Sequence, residues 1–229
     1  MKKLLAPLFL LISLVTFAQC DNSFFPFKEG TTFEQTSYNK KDKVQGKTVS
    51  TITSIEGNES TVENKIYDDK GKLLTDASYK IICDDNMIKF DFESFVPEET
   101  FSQYGGDAEV TIEGDFISLP NDLSVGQSLS DATGKVTVDM SAMKMKMDMA
   151  FTERNVELKE TLTTTAGSFD CYKVSQNTAV TMDMMGMKRT TETSSASWFA
   201  KGVGMVRTEN YDKKGNLIGY SLLTAFQSN

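Results

Sequence analysis

One seven-residue turn, written three times, is the feature of this chain that most constrains its fold. The copies are YNKKDKV at Tyr38–Val44, YDDKGKL at Tyr67–Leu73 and YDKKGNL at Tyr211–Leu217. Each copy has Asn or Asp where a type I turn uses a side-chain acceptor, and Asp or Gly three residues later, where the backbone turns left-handed. Because β-branched and aromatic stretches flank every copy, the three turns predict hairpins of an antiparallel sheet.

The rest of the chain continues this β pattern. Val156–Leu162 alternates apolar and polar residues, as expected of a strand with one buried face. We predict a mainly β fold of about ten to fourteen strands, with one short helix over Pro97–Gly106, which has Pro and acidic residues at its start and glycine at its end. The predicted strands are Thr31–Tyr38, Lys47–Ile55, Ser60–Tyr67, Leu73–Ile82, Met87–Phe92, Glu109–Ile117, Gly134–Met140, Lys144–Phe151, Val156–Thr164, Phe169–Ser175, Thr178–Met184, Thr190–Phe199, Gly204–Tyr211 and Leu217–Phe226.

The N-terminal residues predict export from the cytoplasm. Lys2 and Lys3 precede an apolar run at Leu4–Phe17, and Thr16 and Ala18 are small enough for a signal peptidase site. The apolar run is too short for a membrane span, which needs about 20 residues. We therefore expect residues 1–18 to be a signal peptide and residues 19–229 to form a single exported β domain, in the periplasm or secreted.

Two forms of the mature N-terminus are compatible with the sequence. Cleavage after Ala18 leaves Gln19 at the new terminus, whereas lipoprotein processing leaves a lipid on Cys20. Gln19 is bulky for the position before a lipidated cysteine, so plain secretion is favoured and a lipid anchor through Cys20 is the alternative.

The mature chain is acidic and contains no histidine. Loss of Lys2 and Lys3 leaves 22 basic against 32 acidic residues, a net charge of −10, so nucleic acid is not expected as a partner. The absence of histidine excludes imidazole-based catalysis and most transition-metal sites. Hydrolysis by a pair of carboxylates is chemically possible, and Asp84, Asp85, Asp91 and Glu93 are clustered, but Asp84–Asn86 has the composition of a turn. We predict no enzymatic activity, no catalytic residues, no metal and no cofactor.

The three cysteines allow one disulfide in an oxidising compartment. Cys83 and Cys171 are the expected pair if Cys20 is lipidated or lies in a frayed terminus. That bond would connect the first hairpins to the last ones. Pairing of Cys20 with Cys83 is the alternative, and it would attach the N-terminal segment instead.

Methionines are concentrated in two patches that mark the candidate site. In the first patch the methionines recur at every second residue, so they share one face of a strand while the charged residues share the other. In the second patch, a bulge at Met184–Gly186 would return Met187 to the face of Met182. The predicted lining of a ligand cavity is Met143, Met145, Met147, Met149, Met182, Met184 and Met187.

Three interpretations of these methionines compete. They could fill an irregular interior, as flexible apolar side chains do in many cores. They could line a cavity for an apolar molecule, since polarizable thioethers adapt to varied ligands. Thioethers also bind Cu(I), which makes a methionine-rich copper protein the third possibility.

Several segments of the C-terminal half resemble a known family. They are Leu119–Gly126, Thr165–Val174 and Trp198–Arg207, together with Pro26–Thr31 near the mature N-terminus. In order and spacing these segments resemble the TapB family of exported bacterial β proteins and a related periplasmic domain family of unknown function. The resemblance implies an antiparallel, spiralled barrel-like or half-barrel sheet in an exported protein, and it supplies no catalytic residues.

The sequence therefore predicts an exported, non-enzymatic protein of the envelope or the secreted fraction. Its possible partner is an apolar or amphipathic small molecule. The first alternative is a structural or interaction protein of the envelope that contacts another envelope protein and binds no small ligand. The second alternative is the methionine-rich Cu(I)-binding protein.

Overall fold

A computed structural model describes residue 20 and residues 23–84, 86–92, 109–140 and 143–228, with only the backbone of Met140 and Met143. These residues form one antiparallel sheet and contain no α-helix. The predicted signal peptide and the helix expected over Pro97–Gly106 lie outside them. The strands are β1 (Thr32–Asn39), β2 (Val44–Glu56), β3 (Glu59–Asp68), β4 (Leu73–Asp84), β5 (Met87–Phe90), β6 (Glu109–Gly114), β7 (Ile117–Pro120), β8 (Ala132–Met140), β9 (Met143–Thr164), β10 (Gly167–Met184), β11 (Met187–Ala200), β12 (Gly204–Asp212) and β13 (Leu217–Gln227). Their order across the sheet is β6-β8-β9-β10-β11-β12-β13-β1-β2-β3-β4-β5-β7.

The three repeated turns are hairpins, as predicted. In each copy one side-chain oxygen accepts two backbone N–H groups, and in the last copy Asp212 Oδ1 accepts from Lys214 N at 2.8 Å and Asn216 N at 2.9 Å. Asn39 and Asp68 make the equivalent pair of bonds. The position three residues later is left-handed in every copy, with φ of 59° at Asp42, 80° at Gly71 and 78° at Gly215.

Two predicted strand breaks are wrong, because the chain there contains bulges and not turns. The expected strands Lys144–Phe151 and Val156–Thr164 are parts of β9, which is 22 residues long. Phe169–Ser175 and Thr178–Met184 are likewise parts of β10. The β9–β10 register shifts near Val174 and Ser175, and Glu153 has φ of 52°. A bulge accommodates an extra residue and bends a strand while both of its ends stay paired.

The prediction of one strand over Glu109–Ile117 is also wrong, and the correction explains the shape of the sheet. This segment is split into β6 and β7, which pair with β8 and β5 respectively. The two strands are therefore the opposite ends of the sheet order, although only Asp115 and Phe116 separate them in the chain. So short a connection brings the two edges of the sheet together, and the sheet rolls up.

The core lies inside this roll. Ile117 of β7 packs with Val136 and Val138 of β8 and with Phe151 of β9, so residues from the two ends of the sheet share one apolar cluster. Arg154 of β9 crosses the same junction. It is buried, and its guanidinium donates from Nη1 to Ser130 O at 2.7 Å and from Nη2 to Ser118 O of β7 at 3.0 Å.

A second cluster fills the roll below this junction. Ile52, Val62 and Ile81 on β2 to β4 face Val156 on β9 and Val174 on β10. We call the side of the sheet that carries these residues the inner face.

The N-terminal segment closes one end of the roll and is attached by a disulfide. Phe24 and Phe25 are buried in the inner cluster, and Phe24 meets the ring of Tyr172 edge-on at 5.8 Å. Cys20 is bonded to Cys83. The expected Cys83–Cys171 bond is therefore wrong.

The positions of the two thiols explain this correction. Cys83 belongs to the inner cluster, whereas Cys171 lies in a separate cluster with Trp198 and Leu223. Cys171 is a free, buried thiol whose Sγ donates to Phe169 O at 3.4 Å, and burial raises its pKa to about 11.

Candidate ligand-binding face

The predicted methionines lie side by side on the inner face of neighbouring strands. Met145 of β9 is directly opposite Met184 of β10, and Met147 is opposite Met182. Residues directly opposite in antiparallel strands point to the same side and have Cβ atoms about 4.5–5.5 Å apart. We call this surface the Met face; its described apolar members are Met145, Met147, Met149, Val180, Met182, Met184 and Met187, and Arg189 and Thr191 of β11 lie on the same side, opposite Met182 and Val180.

The Met face continues the core of the roll. Val138 of β8 pairs with Met145, and Val136 pairs with Met147. Of the predicted residues, Met143 pairs with Met140 where β9 begins, and its side chain lies outside the described atoms. The methionines of the two patches are thus neighbours in one layer of side chains, and they do not face each other from opposite walls.

Exposure of the Met face increases steadily across the sheet. Met145 is 7% exposed, Met182 and Met184 are 38% and 39% exposed, and Met187 is 75% exposed. Met147 and Met149 are half-buried against the apolar cluster that contains Val136 and Val138. One side of the Met face is therefore anchored in the core, and the other side presents thioethers to solvent.

The exposed side results from where the strands end. β12 pairs with β11 only from Thr193 onward, so Met187–Glu192 has β10 as its one paired neighbour among the described residues. The expected bulge at Met184–Gly186 is wrong. Met185 and Gly186, with φ of 54° and 85°, form a two-residue hairpin turn between Met184 and Met187. The turn still places Met187 on the face of Met182, as the pattern predicted.

This surface can contact apolar groups. Thioethers are flexible and polarizable, so a row of them adapts to ligands of varied shape. Among the described residues, no three His, Cys, Asp or Glu side chains are close enough to hold a metal ion.

The opposite side of the same strands carries a depression that the sequence did not reveal. It has a volume of about 420 Å³ and lies over β6, β8, β9 and β10. Its lining combines small and polar residues with one methionine: Glu113, Gly114, Thr133, Gly134, Lys135, Asp148, Met149, Ala150, Ala179 and Thr181. Only the register brings these scattered small residues together, so no local pattern could have found them.

Trp198 is a core residue and not an exposed binding platform. It is buried, and its Nε1 donates to a Glu160 carboxylate oxygen at 2.6 Å. Lys173 and Arg207 lie over its ring, at 5.3 and 5.5 Å from the centroid. Lys173 also pairs with Glu157 and holds the pKa of that carboxyl below its usual value. These charges are neutralised within the sheet, so they serve its packing.

A family model matches residues 28–223, which is most of the chain. The protein belongs to the DUF3108-like family. The match runs from before β1 into β13, so the whole Met face lies within the DUF3108-like region. The description of this family names no activity. No curated protein matches the chain.

Solved structures share the fold of this DUF3108-like protein. A candidate lipoprotein from Parabacteroides distasonis ATCC 8503 has a TM-score of 0.71 and 24% identity, over 90% of this chain and 99% of the other. A candidate exported protein with a YmcC-like fold from Bacteroides fragilis NCTC 9343 has a TM-score of 0.68 and 22% identity, over 90% of this chain and all of the other. The rolled sheet is thus a fold that also occurs in these two proteins.

The chain shows no α-helical membrane segment in its described part. No helix among the described residues is long and apolar enough to cross a bilayer.

Proposed function

We propose that this DUF3108-like protein is an exported, non-enzymatic protein that binds an apolar or amphipathic molecule on its Met face. One observation carries the proposal: the Met face extends from the buried core at Met145 to solvent at Met187, and the one charged side chain among its described members is Arg189, opposite Met182 on the open side. A surface with a fixed inner side and an open outer side can accept a molecule without unfolding. Burial of its exposed thioethers would contribute about 25 cal/mol per Å² of apolar area.

We further propose that the exported form is the product of cleavage after Ala18 and carries no lipid. The sulfur of Cys20 is bonded to Cys83, and one sulfur cannot also form the thioether of a lipid anchor. The similar structures support export in general, since one is described as a lipoprotein and the other as an exported protein. We also propose that the protein is located in the periplasm or outside the cell. We propose in addition that it is a member of the TapB family.

Native mass spectrometry of protein purified from its own host tests ligand binding. We expect the wild-type protein to carry a co-purified lipid or metabolite that denaturation releases. Replacing Met147 and Met182 by Gln keeps the length of both side chains but adds polar groups at the middle of the Met face. This double variant should lose the bound molecule, whereas Thr181→Val, on the other side of β10, should retain it.

Leucine at the same two positions distinguishes the alternatives. Met147→Leu/Met182→Leu keeps the apolar surface and removes two thioethers, so it should retain an apolar ligand and lose any Cu(I) affinity. Cu(I) binding by wild type that disappears in the leucine variant would favour the copper protein. Wild-type protein without any co-purified molecule or Cu(I) affinity would favour the envelope interaction protein.

A further inference from the structure

We propose that the tip of the β10–β11 hairpin docks on an anionic lipid surface. The tip consists of Met184–Arg189. Among the described residues, its Met185 and Met187 are the most exposed large apolar side chains, at 73% and 75%. Met187 also belongs to the Met face, but Met185 lies in the turn itself and outside that face, so this proposal extends beyond the ligand site.

The tip projects beyond the body of the sheet. β12 stops pairing with β11 at Thr193, and every residue from Met184 to Glu192 is exposed. The β8–β9 hairpin ends beside it, since Met145 of β9 pairs with both Val138 and Met184. The exposed part of β10–β11 therefore lies beyond the region that β12 covers.

Turn geometry does not explain the methionine at position 185. Left-handed φ values at both Met185 and Gly186 define a type I′ turn, in which Asn, Asp or Gly is strongly preferred at the first position. Asp183 already fixes the turn, because its Oδ1 accepts the N–H of Gly186 at 2.9 Å. A flexible apolar side chain is therefore placed at an exposed and conformationally unfavourable position, which points to a contact outside the protein.

The charges around the tip are complementary to an anionic membrane. Segments 139–146 and 182–189 contain four basic and two acidic residues, a local charge of +2 in a chain whose net charge is −8. The acidic residues are Asp139, which pairs with Lys144 at 2.7 Å, and Asp183, which lies 4.0 Å from Lys188. Lys146 lies directly opposite Asp183, and Glu109 of β6 lies opposite Asp139, so one positive charge remains in excess and Arg189 carries it at the tip. Apolar side chains surrounded by Lys and Arg are the arrangement by which proteins bind the interface of anionic bilayers.

The other hairpins show that this tip is different. The turns that begin at Asn39, Asp68 and Asp212 have charged residues and glycine but no apolar side chain at their tips, and their polar side chains fix their own backbones. The turn at Lys213 and Lys214 has two cations without an apolar residue between them. It therefore provides a matched control for charge alone.

Vesicle binding by the full mature chain tests the proposal. Sedimentation with phosphatidylcholine vesicles, with and without phosphatidylglycerol, should show binding that requires the anionic lipid and weakens with salt. Met185→Asn combined with Met187→Thr should lower the partition coefficient about tenfold. This variant retains the fold, because Asn suits the turn and Thr suits the strand.

Charge reversals complete the test. Lys188→Glu/Arg189→Glu should lower binding by at least tenfold, whereas Lys213→Glu/Lys214→Glu should change it by less than about twofold. The proposal is overturned if wild type fails to bind anionic vesicles, if the Met185/Met187 variant binds as well as wild type, or if the control reversal has the same effect as the tip reversal. Any of these results would mean that the tip does not bind lipid and either contacts another protein or has no binding role.

Discussion

At the scale of single residues, the repeated turns show how one backbone angle decides which side chain is allowed. Gly71 and Gly215 have left-handed φ, and open space surrounds the position of a Cβ atom at both. Steric crowding is therefore no obstacle to a larger residue there. The left-handed angle itself is the obstacle, and it penalises β-branched side chains most.

We predict that Gly215→Val lowers the free energy of unfolding by roughly 1–3 kcal/mol, while Gly215→Asn is tolerated. The first copy of the turn supports this expectation, because Asp42 occupies the same position with φ of 59°. Urea denaturation of the two variants measures the difference, and the same pair of substitutions at Gly71 is the matched control. Equal stability of the Val and Asn variants would show that the angle is not constrained.

Exposure also sets the order in which the methionines should oxidise. In mild peroxide, Met185 and Met187 should convert to sulfoxides first, Met182 and Met184 next, and buried Met145 last, because reaction requires access to the sulfur. The expected difference between Met187 and Met145 is on the order of tenfold or more in rate. Peptide mapping by mass spectrometry at several times measures it. Uniform oxidation in folded protein would mean that the Met face opens as a whole.

At the scale of strands and hairpins, the sequence predicted what local chemistry determines. The Asn39, Asp68 and Asp212 turns were predictable because each side chain bonds to its own backbone within four residues. The shared face of Met145, Met147 and Met149 followed from a period of two. The breaks in β9 and β10 were not predictable, because the polar residues of a bulge resemble those of a turn until the partner strand is known.

Properties that depend on contacts between distant elements could not be predicted from the sequence. Exposure of Met187 depends on where β12 stops pairing, and the disulfide depends on which cluster receives each cysteine. The depression on the other side of β8 and β9 depends on the register of four strands. Each of these is set by contacts between segments that are far apart in the chain.

The disulfide yields a prediction at this scale, because it connects the N-terminal segment to β4. Cys20 and Cys83 are separated by 63 residues, and closing a loop of that length should contribute about 4 kcal/mol to stability. Reduction should therefore lower the melting temperature and release Phe24 from the end of the roll. Cys171→Ala should keep the bond intact, and non-reducing peptide mapping should find Cys20 linked to Cys83.

The thiol of Cys171 provides an internal check on this assignment. Because it is buried and burial raises its pKa to about 11, it should resist alkylation in folded protein at pH 8. Rapid labelling of Cys171, or a peptide that joins it to Cys83, would contradict the observed pairing.

At the scale of the whole molecule, the fold depends on contact between the two ends of one sheet. β6 and β7 are neighbours in the chain and opposite edges of the sheet, so the sheet must curl for both to form. Gly114 and Gly134 allow this, because a Cβ atom at Gly134 would lie 2.1 Å from the ring of Phe92, which packs there. The curl places β7 against β9 and brings the carbonyls of Ser118 and Ser130 to the guanidinium of Arg154.

Arg154 should therefore be the charged residue whose loss most weakens the roll. Burial lowers the pKa of its guanidinium, but the group stays charged, and Asp131 favours that charge. Arg154→Met would fill similar space but leave two carbonyls without their donors, at a cost of roughly 2–4 kcal/mol in the free energy of unfolding. Arg154→Lys should lose less, because one ammonium can still reach one of the carbonyls.

Urea denaturation measures these losses, and Arg189→Met is the matched control. Arg189 is exposed on the hairpin tip, so its replacement should change stability by about 0.5 kcal/mol or less. Hydrogen exchange adds the location of the effect, since opening of the junction should deprotect β7 and the facing part of β9 before β2 and β3. An Arg154→Met protein as stable as wild type would mean that apolar packing of Ile117 alone holds the two ends of the sheet together.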